Sequence, residues 1–338
     1  MRGGTIHYGD LKPHVAEGLI ELRKRIDAAK IPPSKLDESL NVATWNIREF
    51  GRKKRLDASI VYIAEIINQF DLVALVELRD NLGDLRRVMK VLGQDWDVVF
   101  SDFIEDDAGN EERIAFLYDS RMVRFTGLAA EADAPRVPVS HDVRSRSWNT
   151  KNGWRRAPYM ASFEAGSFDF VVIAAHIRWG SGVSDRRPAL RALGEWVGRR
   201  SKHPFATDSD FILIGDFNIP SRRSSAYKAL IGDDAGLQLP AQLAKAKGTN
   251  LMKKTPMTRS CTTRRATGKS GSQTQAECSI SIKKTGRRST PSRRTGRQAR
   301  SDSRMSCRTT CYYGYSSTPT SSIRSSRSSP ACNPDGVE

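Results

Sequence analysis

The chain has 338 residues, with 55 Lys and Arg against 38 Asp and Glu, which gives a formal net charge of +17. This excess of positive charge favours polyanionic partners, nucleic acid first, but indicates no particular fold. No apolar run approaches the roughly 18 residues that a membrane span requires. The N-terminus also lacks the apolar stretch of a secretory signal peptide, so we expect a cytoplasmic protein.

Composition divides the chain near residue 254. Residues 255–338 contain 16 Lys and Arg, 31 Ser and Thr and four acidic residues, but no Leu, Phe or Trp. Such a segment cannot bury enough apolar surface to offset its ordering entropy, so we expect a disordered basic tail. All five cysteines lie in this tail, which excludes a disulfide-stapled secreted domain over residues 1–254. Cys307 and Cys311 have near-zinc spacing, but no histidine follows His203, so we expect no zinc site.

Apolar periodicity predicts the elements of the remaining chain. Helical spacing of apolar residues predicts helices over residues 10–30, 58–70, 85–92 and 187–197. Strands are predicted over residues 41–45, 72–78, 96–100, 113–118, 159–163, 168–176 and 211–216. Several of these strands follow one another directly, which predicts an α+β or layered α/β fold with mixed sheets.

Polar residues stand at the ends of four predicted strands. Asn46 follows the first strand, and Glu77 lies near the end of the second. His176 ends a nearly unbroken apolar run, and Asp216 and Asn218 follow another. A buried strand that ends in a carboxylate, an amide or an imidazole holds a site on a rigid element.

These residue types fit one chemistry. Glu77 and Asp216 supply the hard oxygen ligands that Mg²⁺ prefers. Asn46 and Asn218 can both donate and accept hydrogen bonds, and His176 can move a proton near neutral pH. Together they suit metal-assisted hydrolysis of a phosphate ester by an activated water.

The motifs that carry these residues resemble a known superfamily. Trp45-Asn46, Val76-Glu77, His176 after an apolar run, and Gly215-Asp216-Phe217-Asn218 occur in the order typical of the endonuclease/exonuclease/phosphatase superfamily. The resemblance covers about residues 38–254. It implies a four-layer α/β/β/α sandwich, in which helices flank two packed mixed sheets.

The resemblance also implies roles for single residues. Glu77 is implied to ligate Mg²⁺, or Mn²⁺, with Asn46 beside the ion. Three residues are implied to hold the phosphate and the attacking water: His176, Asp216 and Asn218. Arg156 resembles the arginine that contacts phosphate in the family.

Each residue also has a plainer interpretation when taken alone. Asn46 is a common turn former, Glu77 could pair with Arg79 at the surface, and His176 could be a core histidine. The joint order of the motifs favours the family interpretation. The basic run at residues 52–55 is interpreted either as a phosphate grip or as a solvated loop. Trp148, Trp154 and Trp179 are interpreted either as stacking residues or as core residues.

Two elements that end the family's domain are missing: an Asp after a Gly-Thr-like segment, and a final Ser-Asp-His. We hypothesise that residues from about Thr255 onward are read out of frame. In the frame that starts at the third base of each codon, Met257-Thr258 must encode Asp, and residues 307–310 permit Ser-Asp-His. Lys253-Lys254-Thr255 can be a run of adenines, where a base is easily lost. The alternative is an ordinary disordered basic tail.

We therefore predict three regions: an N-terminal helical extension over residues 1–37, a truncated domain over residues 38–254, and the tail. The predicted function is a Mg²⁺-dependent phosphoesterase, foremost a nuclease that cleaves phosphodiester bonds, impaired by loss of the final Asp-His pair. One alternative is a phospholipid or inositol-phosphate hydrolase of the same fold. Another is a non-catalytic protein that binds nucleic acid through its tail. No obligate protein partner is predicted.

Overall fold

The computed structural model describes residues 6–103, 111–133, 136–138, 148–150, 154, 156–232, 235–240 and 261–263. The tail that is predicted to be disordered lies outside these residues, apart from residues 261–263. The cysteine pair at 307 and 311 and the segment that follows residue 248 up to the tail also lie outside them. No helix among the described residues is long and apolar enough to cross a membrane.

The described residues form five helices and eleven strands. The helices are α1 (Pro13–Ala29), α2 (Asp57–Ile67), α3 (Gly83–Leu92), α4 (Val183–Ser201) and α5 (Ser225–Leu230). The strands are β1 (Val42–Phe50), β2 (Leu72–Leu78), β3 (Trp96–Phe100), β4 (Arg113–Asp119), β5 (Arg124–Glu131), β6 (Arg136–Pro138), β7 (Trp148–Thr150), β8 (Tyr159–Ala165), β9 (Phe168–His176), β10 (Phe211–Asp216) and β11 (Cys261–Thr263).

Most of these strands belong to two mixed sheets. The first sheet has the order β1-β2-β4-β3, with β1 and β2 parallel and the other pairs antiparallel. The second sheet has the order β11-β10-β9-β8-β5, and only β9 and β10 are parallel. Strands β6 and β7 pair separately. The prediction of layered mixed sheets is confirmed.

Three apolar clusters separate four layers. Because side chains alternate along a strand, each sheet presents one apolar face to the other sheet and one to helices. Phe116, Phe163 and Val172 are among the side chains buried between the sheets. The first sheet is covered by α1, α2 and α3, and the second by α4 and α5. This is the predicted α/β/β/α sandwich, and α1 belongs to its first helical layer.

The helices and strands predicted from periodicity are all present, and the structure adds β5, β6, β7, β11 and α5. Two of these additions have local causes. Strand β5 was not predicted because it lies at a sheet edge, is largely exposed and contains Gly127 at φ +109°. Helix α5 has only six residues, although Ser224 caps it by accepting a hydrogen bond from the N–H of Tyr227 at 3.2 Å. Helix α4 begins four residues earlier than predicted and continues past Pro188.

Candidate active site

Strand direction brings the predicted polar residues to one end of the sandwich. In the first sheet, Asn46 on β1 lies beside Val76 on β2, one residue before Glu77. In the second sheet, Asp216 on β10 lies beside His176 on β9. Both strand pairs are parallel, so their carboxyl ends share an edge. The sheets pack with β1 against β10 and β2 against β9, which superimposes the two edges.

The Asn46 side chain links the two sheets. Its Nδ2 donates to Oε1 of Glu77 at 2.5 Å and to Oδ2 of Asp216 at 3.0 Å. Its Oδ1 accepts from the main-chain N–H of Arg48 at 3.0 Å, which fixes the amide orientation. Asn46 and Asp216 are fully buried. Two carboxylates from different sheets are therefore held at a single amide nitrogen.

Glu77 is held in an uncommon backbone conformation. Its φ is +66°, in the left-handed region that non-glycine residues rarely enter, and the strand registers shift around it. Its Oε2 accepts from the N–H of Glu49 at 3.2 Å, and Glu49 and Arg48 also have positive φ. Such backbone costs on the order of 1–3 kcal/mol per residue and persists where the surroundings impose it. Here the strained backbone aims the Glu77 carboxylate at the site.

His176 is positioned by a carboxylate that the sequence analysis missed. Its Nδ1 lies 2.6 Å from Oε2 of buried Glu112. Arg156 Nη1 lies 3.0 Å from the same oxygen and 2.8 Å from His176 Nδ1. We assign the Nδ1 proton to the shorter contact, as a donor to the Glu112 carboxylate, and assign the Arg156 guanidinium, which only donates, to the same carboxylate oxygen. His176 Nε2, 3.6 Å from Oε1 of Glu77, is then the nitrogen that faces the site.

Glu112 was not predicted because it precedes a strand, whereas the carboxylate, amide and imidazole residues that were predicted come at or near the ends of apolar runs. In the sequence, Glu111-Glu112-Arg113 is typical of a solvated charge cluster. In the fold β4 is antiparallel to β2, and Arg113 pairs with Leu78. The start of β4 therefore lies at the same edge as the end of β2. The strand directions, once known, would have identified Glu112.

The Gly-Asp-Phe-Asn motif shapes the second carboxylate. Gly215 has φ +137°, and a Cβ there would overlap the main-chain oxygen of Ala175 on the neighbouring strand. Asp216 Oδ1 accepts from the N–H of Asn218 at 3.2 Å. Asn218 Nδ2 donates to the carbonyl of Ile177 at 2.6 Å. Asn218 Oδ1 is buried without a hydrogen-bond partner in the part of the chain that the structure describes. This oxygen can accept a hydrogen bond from a water.

Two arginines of the basic run have local partners. Arg55 donates to the carbonyls of Ile47 and Arg48, and burial lowers its pKa. Arg52 pairs with Glu49 at 2.5 Å. These contacts hold the loop that follows β1 close to the site.

Two of the three candidate tryptophans, Trp154 and Trp179, have described side chains. Trp154 is buried, and its indole donates to the carbonyl of Ala132 at 3.1 Å, so it is a core residue. Trp179 is half exposed. The Trp148 side chain lies outside the described residues.

Comparison with known proteins shows the family. The chain is 26% identical to deoxyribonuclease-1 of Bos taurus over 219 residues. This aligned segment covers 58% of this chain and 71% of that protein. A mannosyl-6-phosphatase of Bacteroides thetaiotaomicron shares the fold with a TM-score of 0.51 and 17% identity, over 81% of this chain and 99% of its own. The catalytic domain of human nocturnin does so with a TM-score of 0.50 and 12% identity, over 84% and 97%. The family model described as "Endonuclease/Exonuclease/phosphatase family" matches residues 43–322. The chain belongs to the endonuclease/exonuclease/phosphatase family, whose members are hydrolases that act on phosphate esters.

Proposed function

We propose that this chain is a metal-dependent phosphodiesterase of nuclease type. The observation that carries the proposal is the Asn46 amide, which joins the Glu77 and Asp216 carboxylates across the two sheets beside His176. The similarity to deoxyribonuclease-1 favours a nuclease among the phosphoesterases.

The oxygen donors fit Mg²⁺. Among the described residues no group of three or more His, Cys, Asp or Glu side chains is arranged to hold a metal ion. Mg²⁺ does not need such a cage, because it is usually held by one or two carboxylates together with waters and substrate phosphate. Glu77 would hold the ion, with Asn46 beside it. When bound, the cation would neutralise the charge of the phosphate and could be replaced by Mn²⁺.

The protein groups divide the remaining work. His176 Nε2 holds or gives a proton on the side of the ring that faces Glu77, while Glu112 keeps Nδ1 protonated. Asp216 and Asn218 Oδ1, which has no hydrogen-bond partner among the described residues, accept hydrogen bonds from the attacking water. Arg156, whose guanidinium contacts Glu112, contributes positive charge for the phosphate. A positioned acid or base of this kind contributes about 10²–10⁴-fold to the rate.

Isosteric variants test the proposal. Glu77→Gln and Asp216→Asn keep the shape of the site but remove a negative charge from it. We expect each to lower Mg²⁺-dependent cleavage of DNA by at least about 100-fold. The assay uses the full chain and a version whose C-terminal reading frame is restored, because we propose that loss of the final Asp-His pair impairs the chain.

Glu21→Gln is the matched control, because Glu21 is exposed on α1, where it pairs with Arg25. Glu77→Gln with the same turnover as Glu21→Gln would contradict the proposal. A substrate panel of DNA, RNA, an inositol phosphate and phospholipid vesicles decides the substrate class. Turnover of only the last two would replace the nuclease with a phosphatase or phospholipase of the same fold.

The charge of the tail supports a second candidate, a non-catalytic nucleic-acid binder. Residues 255–338 carry 16 basic and four acidic residues. This candidate predicts binding that falls steeply with salt and is lost when the tail is deleted. It further predicts that Glu77→Gln leaves nucleic-acid binding unchanged.

A further inference from the structure

Trp179 is an exposed aromatic residue that has no role in the proposed mechanism. It lies in the loop between β9 and α4, three residues after His176. Its side chain is 50% exposed, whereas Trp45, Trp96 and Trp154 are buried. Exposure of a large aromatic ring beside a candidate active site is a feature of a binding surface.

A buried arginine supports this ring from behind. The guanidinium carbon of Arg186 lies 4.5 Å from the centroid of the Trp179 ring. Arg186 is only 4% exposed, and its Nε donates to the carbonyl of Gly182 at 3.2 Å. Cation–π contacts strengthen when the cation is desolvated, so the ring is held firmly on one side.

The same arginine connects the ring to the site. Arg186 Nη1 donates to the main-chain carbonyl of Asn218, whose own N–H donates to Asp216 Oδ1. The ring is thereby connected to the Asp216 carboxylate through three successive contacts. A half-exposed aromatic ring that is backed by a buried cation is suited to stack on another flat ring.

We propose that Trp179 is a stacking platform for a nucleobase next to the scissile phosphate. The inference rests on the proposed function and narrows its substrate to nucleic acid with accessible base faces, that is, single strands. Inositol phosphates and phospholipid head groups have no flat π surface to offer. The platform selects no particular base, because every base has a π face.

Binding in EDTA tests the platform without any dependence on catalysis. The probes are a fluorescein-labelled dT12 strand and a 12-mer of abasic sites with the same phosphates, at one salt concentration. For the full chain, we expect Trp179→Ala to weaken dT12 binding roughly 5- to 150-fold and to leave the abasic strand unaffected. Trp179→Phe should recover part of the loss, because phenylalanine retains a smaller ring.

Phe205→Ala is the matched control. Phe205 is 84% exposed, but it precedes β10 and therefore lies at the opposite end of that strand from Asp216. It should bind both strands as the parent chain does. An unchanged dT12 affinity in Trp179→Ala, or an equal loss on both strands, would overturn the platform.

The two proposals fail in different ways. If Trp179→Ala loses base-dependent binding while no phosphoester is hydrolysed by the chain or its frame-restored form, the platform stands and the phosphodiesterase falls. If DNA is cleaved and Trp179→Ala binds dT12 normally, the phosphodiesterase stands and the platform falls.

Discussion

At the residue scale, the site depends on hydrogen bonds that hold like charges together. The Asn46 amide donates to both Glu77 and Asp216, and Glu112 accepts from His176 while it contacts Arg156. Buried charges are tolerated only when they are paired in this way. A change that keeps shape but alters donor and acceptor character should therefore act on chemistry more than on folding.

Glu112→Gln is the most direct test at this scale. Glutamine can present its amide N–H to His176, which favours the tautomer with an unprotonated Nδ1. We expect ¹⁵N NMR of the His176 ring to show the proton moving to Nε2. In the frame-restored chain we expect turnover to fall by about 10²-fold or more.

Glu111→Gln is the neighbouring control, because Glu111 is exposed. It should leave both the ring spectrum and the turnover unchanged. An Nδ1-protonated His176 in Glu112→Gln would show that the carboxylate does not set the tautomer.

Tyr159 makes the stability of the sheet interface sensitive to alkaline pH. Burial, assisted by the charge of Glu131, raises the pKa of Tyr159 to about 12. The unfolded chain ionises this phenol near pH 10, so stability that is present below pH 10 is lost as the pH rises to about 12. Between pH 9 and pH 12, the free energy of unfolding in urea should fall by about 2 kcal/mol less in Tyr159→Phe than in the parent chain. Parallel pH profiles for the two proteins would contradict the assignment.

At the element scale, the parallel pairs β1/β2 and β9/β10 decide where the chemistry lies. The close approach of β9 and β10 depends on Gly215, because a Cβ at this position would overlap the main chain of Ala175. Main-chain atoms of a central strand cannot move aside as the end of a flexible side chain can. Asp216, the next residue, follows whatever displacement the pair undergoes.

Gly215→Ala should therefore destabilise the fold by about 2–4 kcal/mol, measured as a lower urea midpoint with an unchanged m-value. Gly127→Ala is the control, because Gly127 also has positive φ, at +109°, but has open space at its Cβ position. The difference between the two variants isolates the steric overlap from the cost of the left-handed backbone. Equal losses in both would show that β9 and β10 do not depend on this contact.

At the scale of the whole molecule, the region after residue 254 distinguishes two origins of the C-terminus. The family match runs to residue 322, and β11 at Cys261–Thr263 pairs antiparallel with β10. The region nevertheless carries neither the Asp nor the Ser-Asp-His motif in the frame as written. Either the tail is genuine and extends the second sheet, or it overlies a lost reading frame.

A fresh read of the gene across the codons for residues 252–258 tests the second alternative. We expect one additional adenine in the Lys253-Lys254-Thr255 codons. The restored protein should then turn over DNA with Mg²⁺ at least about 100-fold faster than the chain as written. An unchanged gene, or equal turnover of both proteins, would contradict the frameshift.

The sequence by itself determined the main elements, their layering and the family. Apolar runs such as residues 168–176 mark buried strands because burial is recorded in local periodicity. Asn46, Glu77, His176 and Asp216 could be predicted as a group because each lies at or near the end of such a run. Periodicity does not predict edge strand β5, since a largely exposed strand leaves a weak periodic signal.

Only the tertiary structure decided which groups meet. Glu112 joins His176 because an antiparallel neighbour brings the start of β4 to the end of β2. Asn46 contacts both Glu77 and Asp216 because the two sheets pack face to face. This packing brings Asn46 to Asp216, which lies 170 residues later in the chain. The contact between Trp179 and the Arg186 guanidinium, which favours Trp179 as a binding residue, is not predicted by the sequence. Periodicity reports what is buried, whereas contacts between distant residues depend on strand direction and sheet packing.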